Sequence, residues 1–287
     1  MTSERMTPEQ LLSNNLELVS LPEIVFQLND MVNDPMCNAA EIGELISKDT
    51  GLTMRLLKIV NSPFYGFPAS IETIPMAITV LGIRQLRDLA FTTCVINKYS
   101  QIPSDIINAD TFWYHSISTA LAAQLIAKRV NLSNSERCFT CGMLHDLGLL
   151  ILALTSPEET RQVLELARDS NRPSQDFQQN VFGFSQGEVG AALIRKWNLP
   201  ESFVEPIQLQ QFNKAATRFP METAILKVAN VLSNSQDETS IIGDNQIIHP
   251  GTLKLLGLTT EDLEYIQSEL DEKLHQTLSV IYTKQAA

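Results

Sequence analysis

Adjacent His145 and Asp146 stand in the run GMLHDLGLL, an imidazole beside a carboxylate in an apolar setting. His115, in FWYHS, lies about one helical hairpin upstream, close enough in sequence to come from a neighbouring helix. Imidazole nitrogens and carboxylate oxygens are the donors that divalent transition metals favour, and such an ion activates water for attack on phosphorus. A second chemistry is available to the same side chains. They could cross-brace neighbouring helices, with every buried polar atom satisfied by a hydrogen bond.

Cys138 and Cys141 form a CxxC pair on the approach to His145. A CxxC pair is half of a redox or zinc site. No second CxxC or CxxH pair completes a tetrahedral set, so two buried small apolar side chains is the better reading. His249 and His275 have no partners that the sequence identifies, and both are expected at the surface. In the first half, Phe64, Tyr65 and Phe67 crowd the turn-rich run SPFYGFP. Exposed aromatics anchor protein interfaces, so these three are the candidate partner contact, against the alternative of a loop tucked over the core.

The elements that must position these groups are helices. Leu21, Ile24, Val25, Leu28 and Val32 recur at helical spacing, and the pattern stops at Asn33-Asp34-Pro35. Helices are expected at Ala40–Ser47 and Leu52–Ser62 around a turn at 48–51, then at Ile74–Leu81 and Arg84–Tyr99. A long helix is expected from Asp110 to Val130. Ser133 with Glu136 reads as a capping box that opens the helix carrying His145, and Ser185 with Glu188 opens another. Ser156-Pro157 and Thr259-Thr260 start two more. No run alternates like a strand, although Ile241-Ile242 and Ile247-Ile248 could flank a short hairpin. The fold class is therefore all-α. Pro103 marks a boundary between two packed helical lobes, residues 1–103 and 104–287.

Of the 287 residues 44% are hydrophobic and 19% charged, the profile of a globular protein rather than a disordered one. Four cysteines do not make a disulfide scaffold, MTSERMTPEQ lacks the apolar core of a signal peptide, and the apolar stretch Gly142–Leu154 is too short to span a bilayer. A cytoplasmic location without membrane attachment is expected. The net charge of -12 opposes nucleic-acid binding. AEIGELISKDTGLTMRLLKIVNS has the look of a helix-turn-helix, but residues 16–103 carry six basic and nine acidic side chains, the wrong sign for a phosphate footprint. Arg84 and Arg87 are expected to pair with nearby acids.

Several longer runs resemble the HDOD family, a bacterial signalling module related to HD-type phosphohydrolases. They are LPEIVFQLNDMV, then ISKDTGLTMRLLKIVNS, AITVLGIRQLR, FWYHS, GMLHDLGLL and GEVGAALIRKWNLPE. The resemblance covers about Leu16 to Phe212. It implies an all-α fold and a role in signal transduction or regulation. It also implies that His115, His145 and Asp146 are what remains of a metal site. Where family members often carry histidine, this chain has Gln186 and Gln210, and the closing aspartate of HD enzymes falls at Asn230. Neutral amides bind hard divalent ions poorly. The expectation is therefore a non-catalytic regulatory protein that works through protein contacts, with no metal or other cofactor. A metal-dependent phosphohydrolase, or a sensor of a small ligand or nucleotide in the relic pocket, are the competing readings. On the bracing reading, Asp146 takes its hydrogen bonds from His115 and Asn230.

Overall fold

The computed structural model describes residues 6–62, 65–100, 106–170, 172, 174–211, 216–234 and 248–281. Among them there are helices and no strand. In chain order these are α1 Pro8–Asn14, α2 Leu16–Val19, α3 Glu23–Asn33, α4 Ala39–Ser47, α5 Thr50–Val60, α6 Ile74–Leu81, α7 Ile83–Lys98, α8 Ala109–Arg129 and α9 Ser135–Leu144. They continue with α10 Leu147–Thr155, α11 Pro157–Ser170, α12 Ser174–Val181, α13 Gln186–Lys196, α14 Glu201–Leu209, α15 Pro220–Asn234, α16 Pro250–Leu256 and α17 Thr260–Ile281. The all-α reading holds. The suggested hairpin near 241–248 and the boundary at 101–105 lie outside the described residues.

Two compact units emerge, and each end of the chain joins the unit built from the other half. Residues 1–20 belong with 101–267, and residues 268–287 with 21–100. This differs from the simple division into 1–103 and 104–287. One physical cause is visible in the larger unit. The indole N–H of Trp197, at the end of α13, donates to the carbonyl of Val19 over 2.7 Å, and both groups are buried. An indole without an acceptor inside a core would be costly, so the segment that supplies one is held there. α1 packs against the same helix. Its start is a capping box of Thr7 and Gln10.

In the larger unit, α8 packs against α9 and α15, and α13 packs against α10 and α14. α8 is buried almost all round from Phe112 to Ala127, which suits a central helix rather than an amphipathic surface one. Small residues let the backbones close. A β-carbon at Gly142 in α9 would lie 2.5 Å from the α-carbon of Ala120 in α8, and one at Gly148 in α10 would lie 1.9 Å from the carbonyl oxygen of Gln186 in α13. Ser185 and Glu188 cap α13 reciprocally, as their spacing predicts. Ser133 does not play that part. The residue ahead of α9 is Asn134, in the left-handed region at φ 63°, with no side-chain cap.

α9 and α10 together make an apolar run, Ser135–Thr155, that is long and apolar enough to cross a membrane, so the length argument from Gly142–Leu154 alone is incomplete. The most apolar window of this run is 89% buried inside the fold, as the core helix of a globular unit is. Cys138 and Cys141 are buried in α9 as free thiols, and desolvation pushes Cys138 up to about 12, far from a reactive thiolate. Elsewhere in this unit, Glu205 on α14 accepts the backbone N–H groups of Thr217, Arg218 and Phe219 at 2.9, 2.9 and 2.6 Å, anchoring the strand of chain that enters α15.

In the smaller unit, α7 packs on α3, α5 and α6. Arg87 is buried there. Its Nε and Nη2 donate to Asp88 Oδ1 over 2.8 and 2.6 Å, and Nη1 to Asn29 over 3.4 Å. Arg84, by contrast, is exposed and makes no ion pair among the described residues. Thr50 and Gly51, expected in a turn, are helical because Asp49 caps α5 through the Leu52 N–H. After α5, the Asn61 amide bonds both the N–H and the carbonyl of Ile71 at 2.7 Å, stapling the ends of the aromatic loop.

The Gly148 contact gives a direct test. Gly148→Ala forces two backbones apart and is expected to destabilise by about 1–3 kcal/mol or to prevent folding, as overpacked cores do. Gly51→Ala, at an exposed helical site where the new β-carbon meets only ordinary contacts, is expected to be neutral or mildly stabilising. Guanidinium titration of both variants checks the contrast.

Candidate functional site

The chain breaks helix at the chemically loaded pair. α9 ends at Leu144, His145 and Asp146 form the turn, and α10 starts at Leu147. The pair therefore sits at a joint rather than along one continuous helix, and both side chains are directed inward, 0% and 1% exposed. His115 comes from α8, which packs along α9, and is 7% exposed.

The three side chains converge. His115 Nε2 lies 3.1 Å from His145 Nε2, which lies 3.1 Å from Asp146 Oδ2, and the third separation is 3.7 Å. The protonation pattern of His145 follows from its other nitrogen. Nδ1 is 2.6 Å from the carbonyl of Gly142, an acceptor only, so Nδ1 carries a hydrogen while Nε2 faces the centre. Oδ2 of Asp146 is buried and faces His145 Nε2. Burial alone would raise the Asp146 carboxyl. The charges of His145 and His115, together with hydrogen bonds from His145 and Gln186, outweigh it and hold the group below its usual range.

Gln186, at the start of α13, donates from Nε2 to Asp146 Oδ1 over 2.9 Å. Its own carbonyl oxygen accepts from Gln178 Nε2 at 2.7 Å, and the Gln178 oxygen accepts the backbone N–H of Gln186 at 2.8 Å. All three are buried. Gln178, from α12, is the residue that the sequence did not flag. A glutamine on a short polar helix carries no pattern that separates it from a surface residue, and only its burial reveals it. Gln210 follows α14 and donates from Nε2 to the backbone carbonyl of His145 over 2.7 Å, while its oxygen is buried without a partner. Asn230 on α15 is buried and its oxygen is likewise unpartnered. It makes no hydrogen bond to Asp146. The expected donors to Asp146, His115 and Asn230, are thus corrected: the neutral donor is Gln186, and His115 faces the same carboxylate at a longer distance.

The aromatic trio is only partly visible. Phe64 lies outside the described residues. Tyr65 and Phe67 are half-buried and stack with ring centroids 5.9 Å apart.

A family model for the HDOD domain matches residues 18–212. The chain belongs to the HDOD family. Among solved structures, an HDOD domain protein of unknown function from Geobacter sulfurreducens is 25% identical, with a TM-score of 0.69 over 96% of this chain and 97% of its own. A protein from Shewanella amazonensis, named as a proposed phosphohydrolase, is 24% identical, with a TM-score of 0.74 over 94% and 96% of the two chains, and shares the fold. An uncharacterized protein of Treponema pallidum is 26% identical over 193 residues, 67% of this chain. This HDOD chain spans only 37% of that relative's length.

The resemblance to HD-type phosphohydrolases implies a divalent metal, and the donor set here can be tested against one. The circle through three atoms 3.1, 3.1 and 3.7 Å apart has a radius of about 1.9 Å, inside a metal–ligand bond of about 2.1 Å. Nε2 of His145, when it carries no hydrogen, and Oδ2 of Asp146 fit one ion. Among the described residues a second ion finds no such set. Gln186 and Gln210 turn N–H groups toward Asp146 and His145, and Oδ1 of Asp146 is already taken.

Removing the carboxylate orphans the Gln186 amide and leaves His115 and His145 facing a void. Asp146→Ala is expected to cost about 1–3 kcal/mol. Asp146→Asn should cost less, because its oxygen still accepts from Gln186. Denaturant midpoints of the two variants check the order.

Proposed function

We propose that this HDOD protein is a non-catalytic regulator in cytoplasmic signalling, acting through protein contacts on a scaffold descended from a metal-dependent enzyme. One observation carries the reading: the hydrogen bond from Gln186 Nε2 to Asp146 Oδ1. Hydrolysis by a two-ion clamp needs lone pairs on both sides of the carboxylate. Here one side receives an amide hydrogen, and the amide that gives it is locked in place. What is left can steady helices or hold a single ion, but it does not bracket a phosphoryl group. The net charge of -12 supports a protein rather than a nucleic acid as the partner. The stacked, half-buried Tyr65 and Phe67 in a stapled loop are the contact proposed for it.

Two experiments bear on this. Assays against cyclic dinucleotides and bis(p-nitrophenyl) phosphate, with manganese, iron, magnesium and zinc in turn, are expected to show no turnover. Metal-dependent turnover that disappears in His145→Ala would refute the non-catalytic reading. For the contact, a Tyr65→Ala/Phe67→Ala double variant with an unchanged denaturation midpoint is expected to lose the protein that the wild type captures from its native host. Undiminished capture places the interface elsewhere.

A further inference from the structure

Two chains of net charge -12 repel one another, so a contact between copies of this protein needs a place where the sign is locally reversed. α5 supplies one. Its inner face, with Leu52, Leu56 and Ile59, is buried, and its outer face shows Met54, Arg55 and Lys58 with no acid anywhere on the helix. Arg55 makes no ion pair among the described residues. Met54 is 67% exposed, a large apolar side chain left in water beside two cations. The start of α17 shows the reverse. Glu261, Glu264 and Tyr265 face outward, and Tyr265 is 59% exposed. That first turn is held in place from within, because Arg129 Nε donates to Asp262 Oδ1 over 2.7 Å.

The two faces share one spacing in opposite directions. On α5, Met54 is followed by a cation at the next position and by another three residues on. On α17 read backwards, Tyr265 is followed by Glu264 and then, three residues on, by Glu261. At about 1.5 Å per residue, an antiparallel alignment that brings Lys58 level with Glu261 also brings Arg55 level with Glu264 and Met54 level with Tyr265. We infer that α5 of one copy docks antiparallel on the start of α17 of a second copy. The charges set register and direction, while the thioether against the phenol ring contributes apolar contact. This contact goes beyond the regulatory reading and needs neither Tyr65 nor Phe67. Exposed ion pairs are individually weak, so the association is modest and concentration-dependent.

The test is sedimentation of the full chain from micromolar to millimolar concentration, in the wild type and in two charge-swapped variants. Arg55→Glu/Lys58→Glu leaves both faces acidic, and Glu261→Lys/Glu264→Lys leaves both basic. Each variant alone is expected to self-associate at least tenfold more weakly than the wild type, because like charges now meet. An equimolar mixture of the two is expected to restore association, since each chain offers the face that the other lacks. Glu261 lies in the first turn of α17. If its replacement loosens that helix by circular dichroism, the single swaps Arg55→Glu and Glu264→Lys, alone and mixed, put the same question. A wild type that stays monomeric at millimolar concentration overturns the contact. So does self-association that neither swap weakens, or a mixture that associates no better than its components. A monomeric wild type that binds anionic phospholipid vesicles, and releases them in Arg55→Glu/Lys58→Glu, overturns it in favour of a membrane surface.

Discussion

The backbone N–H of Gln186 is a donor that cannot reverse, and the polarity of the buried centre hangs on it. An amide side chain alone could sit either way round. Because Gln178 must offer its oxygen to this N–H, each later group in the chain has one satisfied orientation, ending at Asp146. In a low-dielectric interior the wrong orientation sets two oxygens against each other, and the penalty is not shared with solvent. The carboxylate is thus pointed by an amide, beside the imidazoles of His145 and His115 that keep it ionised. His145 is constrained in the same manner by the carbonyl of Gly142. Backbone groups, which do not vary with side-chain type, set both halves of the pair.

That arrangement requires α10 and α13 to approach almost without side chains between them. Gly148 makes the approach possible, since a β-carbon there would overlap the carbonyl of the same Gln186. Gly142 does likewise for α9 against α8, which brings His115 to the centre. The glycines of GMLHDLG are therefore part of the site's geometry. They contribute closeness rather than chemistry.

Much of the fold was legible in the sequence because helix signals are local. α6 and the capped start of α13 follow from proline, threonine, serine and glutamate at fixed offsets, and the long α8 from its sustained pattern. The misjudgements were of two kinds. Asp49 extended α5 back over Thr50 and Gly51, and α9 starts after Asn134, which makes no side-chain cap, rather than after Ser133. The exchange of chain ends between units depends on contacts such as Trp197 to Val19, 178 residues apart, which no local pattern encodes. At the site, His115, His145 and Asp146 were identifiable by type. The role of Gln186 was not, because an amide reads as a lost ligand until its hydrogen is seen to face the carboxylate.

The joint at His145 and Asp146 has a mechanical meaning. The triangle of donors has one corner on α8, one at the end of α9 and one at the start of α10, so its edge lengths measure the bend between two half-helices. With Gly142 and Gly148 packed so closely, neither half can roll without moving α8 or α13. The centre behaves like a pin through a knuckle. α10 runs from this joint to Ser156 and Pro157, where the largely exposed surface of α11 begins, so a single helix connects the buried centre to the outside of the larger unit.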